Sequence, residues 1–261
     1  MKSHLIFLLS ASFCVSGLYA QSDSNSAPEA ASSDQAMLPW QKEFLNLPED
    51  QRVEFGKHMN KSRELFGQKR VFECIEELGK AQAIFDNSPD VENLLGACQV
   101  EFRAFDKAMQ HFERANELQP GEKSIQFNIA ELYFVTKQWE KAEETLAALV
   151  ERSKAEESKG RSLMMQRLVE FKLMLTRIKL GKMEEAKQMA ELYDHLDDSP
   201  YCYFAEAAIA YQNEDELTAE MAMARAGRIF RDPAIISPWQ DTMMEFGYMK
   251  SFFGGDLPEE E

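Results

Sequence analysis

Apolar and polar residues alternate along most of this chain with the period of an amphipathic helix. In FDKAMQHFERANEL, Ala108, Phe112 and Ala115 fall on one face, four and then three residues apart. WEKAEETLAALVERSK repeats the arrangement with Ala142, Leu146 and Leu149. The two-residue period of a strand is missing, with no alternating Val/Ile/Thr runs and no Asn-Gly or Asp-Gly hairpin turns. The windows are instead rich in Ala, Glu, Leu, Lys, Met and Gln, which favour helix. Helix starts are expected at Ser88-Pro89, Ser199-Pro200 and Ser237-Pro238, with Ser as N-cap and Pro at the first helical position. One helix departs from the simple pattern. NIAELYFVTKQWEKAEETLAAL sets Tyr133 beside Phe134, and helical neighbours point about 100° apart. Such a helix must meet apolar surroundings on two sides.

The patterns recur in register. Aligning Cys74, Leu78 and Ala81 with Ala108, Phe112 and Ala115, then with Ala142, Leu146 and Leu149, gives two spacings of 34 residues. Ala186, Ala190 and Tyr193 follow after 44, and Ala219, Met223 and Ala226 after 33. The preceding helices match as well, through Leu95-Gly96 and through Ile129-Ala130 with Tyr133. This resembles the tetratricopeptide repeat (TPR) family. The resemblance runs from about Phe55 to Pro233. It is strong in the second and third units and fair in the first, fourth and fifth. The first unit lacks a small residue in its leading helix, with Lys61-Ser62 where the second has Leu95-Gly96. A ten-residue insertion at ERSKAEESKG displaces the fourth.

The resemblance implies an all-α fold: a right-handed superhelix of about five TPR helical hairpins with a C-terminal capping helix. Small residues such as Gly96, Ala108, Ala130 and Ala142 let helices approach closely, and Phe112, Tyr133 and Leu146 fill the spaces beside them. A single hairpin cannot bury its apolar face alone, so the units stack. The expected layout is a repeat array at 55–237, with the insertion near 151–160, and a capping helix at 238–253.

The flanks read differently. MKSHLIFLLSASFCVSGLYA at 1–20 has the basic start, apolar run and small final residue of a secretory signal peptide. A membrane anchor is disfavoured by the short, Ser-interrupted run. A lipoprotein signal is disfavoured by Phe13 before Cys14. Residues 21–37 are too polar to offset chain entropy and read as a disordered linker. An N-terminal helical segment is expected at 38–54 and an acidic tail at 254–261. The localisation expected is export, to a periplasm or the exterior. Beyond the signal, Cys74, Cys98 and Cys202 read as small buried hydrophobes, and their odd number cannot pair completely.

Composition narrows the function. With 44% hydrophobic residues the chain can build a substantial core, and its formal net charge of −16, without a Lys/Arg cluster, argues against nucleic acid. No phosphate loop, G-x-S-x-G, HExxH or dinucleotide motif occurs. The Asp residues around His195 lack calcium-loop spacing, and the scattered Met residues read as core filler. The chain is therefore expected to be no enzyme and to need no cofactor or metal.

The feature that points to function is a stripe. In the TPR family the first helix of each hairpin lines the inner surface, which implies a shared face for Phe127 and Phe134 in the third unit. In the fourth unit the face continues through Phe171, Leu175 and Ile178, and in the fifth through Tyr201, Phe204 and Tyr211. Two arrangements are open. The stripe packs against a neighbouring hairpin or the capping helix, or it forms an apolar concave groove for a protein or peptide segment. The N-terminal segment around Trp40 and Phe44 is a further candidate to cover it. Asn93, Asn128 and Lys172 lie near positions where some family members grip a carboxylate, but Ala97 and Leu168 replace the other polar members. The groove is the reading taken, in an exported non-catalytic protein–protein interaction scaffold. The alternative is an accessory subunit of a cell-envelope or outer-membrane assembly complex. Either way membrane association would run through a partner.

Overall fold

The computed structural model describes residues 37–153 and 161–249. The expected signal peptide, nearly all of the linker, most of the insertion and the acidic tail lie outside them. Among the described residues there are twelve α-helices and no strand. They are α1 (Pro39–Leu45), α2 (Glu49–Gly67), α3 (Val71–Ile84), α4 (Pro89–Glu101), α5 (Phe105–Leu118), α6 (Lys123–Val135), α7 (Trp139–Ser153), α8 (Arg161–Lys179), α9 (Met183–Ala190), α10 (Tyr201–Gln212), α11 (Glu216–Ile229) and α12 (Pro233–Phe246). No helix among these residues is long and apolar enough to cross a membrane.

The helices pair through one recurring turn. Lys69, Arg103, Lys137, Gly181 and Glu214 all adopt the left-handed conformation, at intervals of 34, 34, 44 and 33 residues. After each, an N–H reaches back to a carbonyl five residues earlier, closing the preceding helix: Arg70 to Leu65 and Ala104 to Gln99 at 2.9 Å, Gln138 to Tyr133 at 2.8 Å, Lys182 to Arg177 and Asp215 to Ala210 at 2.9 Å. Only one of the five positions is glycine, so composition did not advertise the other four turns.

The small positions of the repeat are fully buried. Cys74, Ala108, Ala142, Ala186 and Ala219 all lie at 0% exposure on the second helices. On the first helices the matching position holds Ser62, Gly96, Ala130, Met174 and Ala207. The first unit therefore does not lack its small residue. Ser62 is fully buried, and its hydroxyl donates to the His58 carbonyl at 2.8 Å. At Gly96 the approach is closest: a Cβ would sit 2.5 Å from the Phe112 ring. Three hairpins also share a polar clasp between their helices, each across 19 residues: His58–Glu77, Glu92–His111 and Glu206–Arg225.

The chain divides into two compact units, one reaching to Ile125 and the other from Gln126. The first has its core in Phe55, Met59, Phe66, Leu78, Val91 and Leu95. Phe44 of α1 packs there, 5.1 Å from the Phe55 ring and 5.3 Å from Phe85. Cys74 and Cys98 are free, buried thiols with sulfurs 3.6 Å apart.

The second unit is built on α8 and α10, which are buried over much of their length because they are covered from several sides. Its last helix, α12, starts earlier than the Ser237-Pro238 signal implied. Asp232 is the N-cap, accepting from the Ala234 N–H at 2.9 Å, and Pro233 takes the first helical position. Pro238 lies inside the helix. The helix ends at Gly247, whose left-handed conformation lets the Tyr248 N–H reach the Met243 carbonyl at 3.0 Å. The Ser88-Pro89 signal does start α4, with the Val91 N–H donating to Ser88 Oγ.

Candidate functional site

The stripe residues come together in the second unit, on α6, α8 and α10. Most of them are closed to solvent. Phe134, Phe171, Leu175, Ile178, Tyr201 and Phe204 are buried, and Phe127 and Tyr211 are half-buried. This corrects the expectation of an exposed groove. The cover is α12, whose Ile236, Trp239, Met243 and Phe246 recur three, four and three residues apart and are all buried. Trp40 and Phe44 of the N-terminal segment pack against the core of the first unit.

Trp239 is the centre of the contact. Its ring lies 5.3 Å from Phe171 of α8, 5.7 Å from Phe204 and 6.3 Å from Tyr201 of α10. Phe246, two turns on, stacks 6.2 Å from Phe134 of α6 and meets Trp139 of α7 edge-on at 6.0 Å. Beyond the helix end, Tyr248 stacks on Tyr211 at 5.3 Å. One helix face thus engages aromatic side chains from α6, α7, α8 and α10. Offset and edge-to-face ring pairs of this kind contribute about 0.5–1.5 kcal/mol each beyond area burial. Tyr133 and Phe134 separate as their neighbouring positions require. Phe134 goes to the α12 side, and Tyr133 stays half-buried with Lys141 Nζ over its ring at 5.3 Å.

A buried ionic triad crosses the same seam. Lys172 of α8 lies 3.0 Å from Glu131 of α6 and donates to Glu245 of α12 at 3.2 Å. Its ammonium also sits 4.5 Å above the Phe134 ring centroid. Burial disfavours the Lys172 charge, but the two carboxylates outweigh it and hold the lysine above its ordinary pKa. Burial also raises Glu131, and Glu245 adds to that against the pull of Lys172, so its carboxyl is pushed up to about 7. One ammonium therefore faces two carboxylates. Lys179, over the Phe246 ring at 4.4 Å, is a second cation on this seam.

Sequence reasoning placed Lys172 near a carboxylate-gripping position but missed Glu131 and Glu245. The available signal was a charge inside an apolar run: Lys172 in FKLMLT, and Glu131 in NIAELYFV. A second polar cluster closes the other end of α8. Arg167 pairs with Asp197 at 3.0 Å and lies 3.5 Å from the Tyr193 ring, while the Tyr193 hydroxyl donates to Glu170 at 3.1 Å. It holds the 191–200 segment against α8 in place of a longer α9.

The sequence model of the tetratricopeptide repeat family matches residues 99–165. No curated protein matches the chain. Among solved structures, PilF of Pseudomonas aeruginosa is similar at TM-score 0.54 and 14% identity, over 77% of this chain and 96% of that one. YrrB, described as a TPR protein with an unusual peptide-binding site, is similar at TM-score 0.49 and 14% identity, over 76% of this chain and 96% of that one. MamA AMB-1 is similar at TM-score 0.48 and 17% identity, over 67% and 98%. The recurring turns, the buried small positions, the family match and the likeness to PilF identify the fold as an all-α helical repeat of the tetratricopeptide kind.

Proposed function

We propose that this chain is an exported, non-catalytic scaffold that binds a segment of another protein on the aromatic surface formed by α6, α8 and α10. One observation carries the reading. That surface accepts an amphipathic helix, because it already holds α12 through Trp239, Met243 and Phe246. Helical repeats recognise partners through continuous surfaces built from successive hairpins, and a helix laid in an apolar groove is one of the recurring recognition modes. The polar groups on this surface are engaged in ion pairs rather than arranged as a nucleophile with its base. Export is part of the proposal and rests on the signal-like start of the sequence.

The test is site-specific photocrosslinking in the native cell, with the crosslinker at Phe127 or Tyr211, the half-buried members of the stripe. The expected result is a discrete crosslink to another protein in the exported fraction. Crosslinks arising instead at the exposed Phe72–Phe102 pair of the first unit, with none at Phe127 or Tyr211, would move the binding surface elsewhere.

A further inference from the structure

The seat of α12 resembles a bound ligand more than a plain helix end. Its buried face runs Ile236, Trp239, Met243 and Phe246, the anchor spacing of an amphipathic helix in a groove. Each anchor region meets a different wall: Trp239 meets α8 and α10, and Phe246 meets α6 and α7. Phe230, Arg231 and Asp232 join it to α11.

Its seat is also electrostatically mismatched. Lys172 and Glu131 would form a balanced pair by themselves, and α12 brings Glu245 as a second carboxylate into the buried seam. Against its contact with Lys172, Glu245 of α12 therefore sets a like-charge interaction with Glu131. Because Glu131 is pushed up to about 7 by burial and by Glu245, protonating it relieves the mismatch, and α12 is held more tightly below that pH than above it.

We infer that α12 is the chain's own competitor for this groove, displaced by an amphipathic helix of a partner that presents the same face. That helix would carry large apolar residues at intervals of three, four and three, aromatic at the second and fourth. Beside the fourth it would present a carboxylate or neutral acceptor to Lys172. The inference rests on the groove reading above and adds its regulation. A tethered occupant lowers the apparent affinity of an external helix by the fraction of time the groove is open. A partner therefore binds only when its helix outcompetes α12 or when conditions loosen it.

The experiment uses the full chain and a fluorescent peptide of residues 233–249. In Trp239→Ala the internal helix loses its central anchor, and the peptide should bind more than ~tenfold tighter than it binds the wild-type chain. The same peptide carrying Trp239→Ala should not bind. Hydrogen exchange on the wild-type chain should show α12 opening while α8 and α10 stay protected. Binding of the peptide to Trp239→Ala no tighter than to wild type overturns the inference. So does a Trp239→Ala chain whose α8 and α10 lose protection together with α12, since α12 is then integral core. A partner crosslinked at Phe127 or Tyr211 with no gain in Trp239→Ala would leave the scaffold reading standing and remove only the displacement.

Discussion

Phe171→Ala separates a buried stripe from an open one. The Phe171 side chain is fully buried, with ring neighbours Trp239 at 5.3 Å, Phe204 at 6.2 Å and Tyr201 at 6.3 Å. Truncation forfeits the transfer free energy of the ring, about 1.5–3 kcal/mol, and leaves a cavity that three rigid rings cannot collapse into. Together these put the loss at about 3–5 kcal/mol, the usual range for Phe→Ala in a core. For a unit of this size that lowers Tm by roughly 10–20 °C. Trp139 and Trp239 lie in the second unit and Trp40 in the first, so urea unfolding followed by tryptophan fluorescence in a Trp40→Phe background reads the relevant transition. The midpoint should fall while the slope stays constant, because the same surface is exposed on unfolding. Phe72→Ala is the reference. That ring is 74% exposed, and its removal should change stability by no more than about 0.5 kcal/mol. A loss under about 1 kcal/mol for Phe171→Ala would refute the packing argument and return the ring to an open surface.

Two glycines of the first unit should respond in opposite directions. Gly96→Ala drives a methyl group to 2.5 Å from the Phe112 ring and should cost about 1–3 kcal/mol, whereas Gly79→Ala meets nothing within 4 Å in a helix interior and should gain about 0.5–1 kcal/mol; circular-dichroism melts of both variants check the pair. The Glu131 carboxyl titrates near 7 in the folded chain against an ordinary 4.5, so the folded state holds the extra proton in that window. Stability should therefore fall as pH rises from about 4.5 through 7 and then level off. Comparing urea midpoints of wild type and Glu131→Gln across this range isolates the contribution, and a wild-type midpoint that rose relative to Glu131→Gln would contradict the sign.

Much of the repeat was legible because it is local and periodic. Ala108, Phe112 and Ala115 mark the buried face of α5 from spacing alone, and the register of 34 residues carries over to the left-handed turns. Other features were hidden for identifiable reasons. Lys69, Arg103, Lys137 and Glu214 hold turn positions where the usual glycine signal is absent. Ser62 fills the small position of the first unit as a polar residue, and a hydroxyl that bonds back to His58 is small enough and satisfied. The Ser237-Pro238 start signal was outcompeted by Asp232-Pro233, five residues earlier, since an aspartate cap and a proline at the first position suffice to begin the helix there.

The sequence by itself determined that this protein is helical, that its hairpins repeat, and that Phe134, Phe171, Phe204 and their neighbours belong to the apolar side of the first helices. Periodicity, together with the resemblance of the hairpins to a known repeat, carries those statements. What lies over that face was decided only by tertiary structure. Trp239 reaches Phe171 and Phe204, and Glu245 reaches Lys172 across 73 residues of chain. The face is buried because a distant helix with complementary anchors folds back onto it, and contacts between segments so far apart leave no periodic trace in either one.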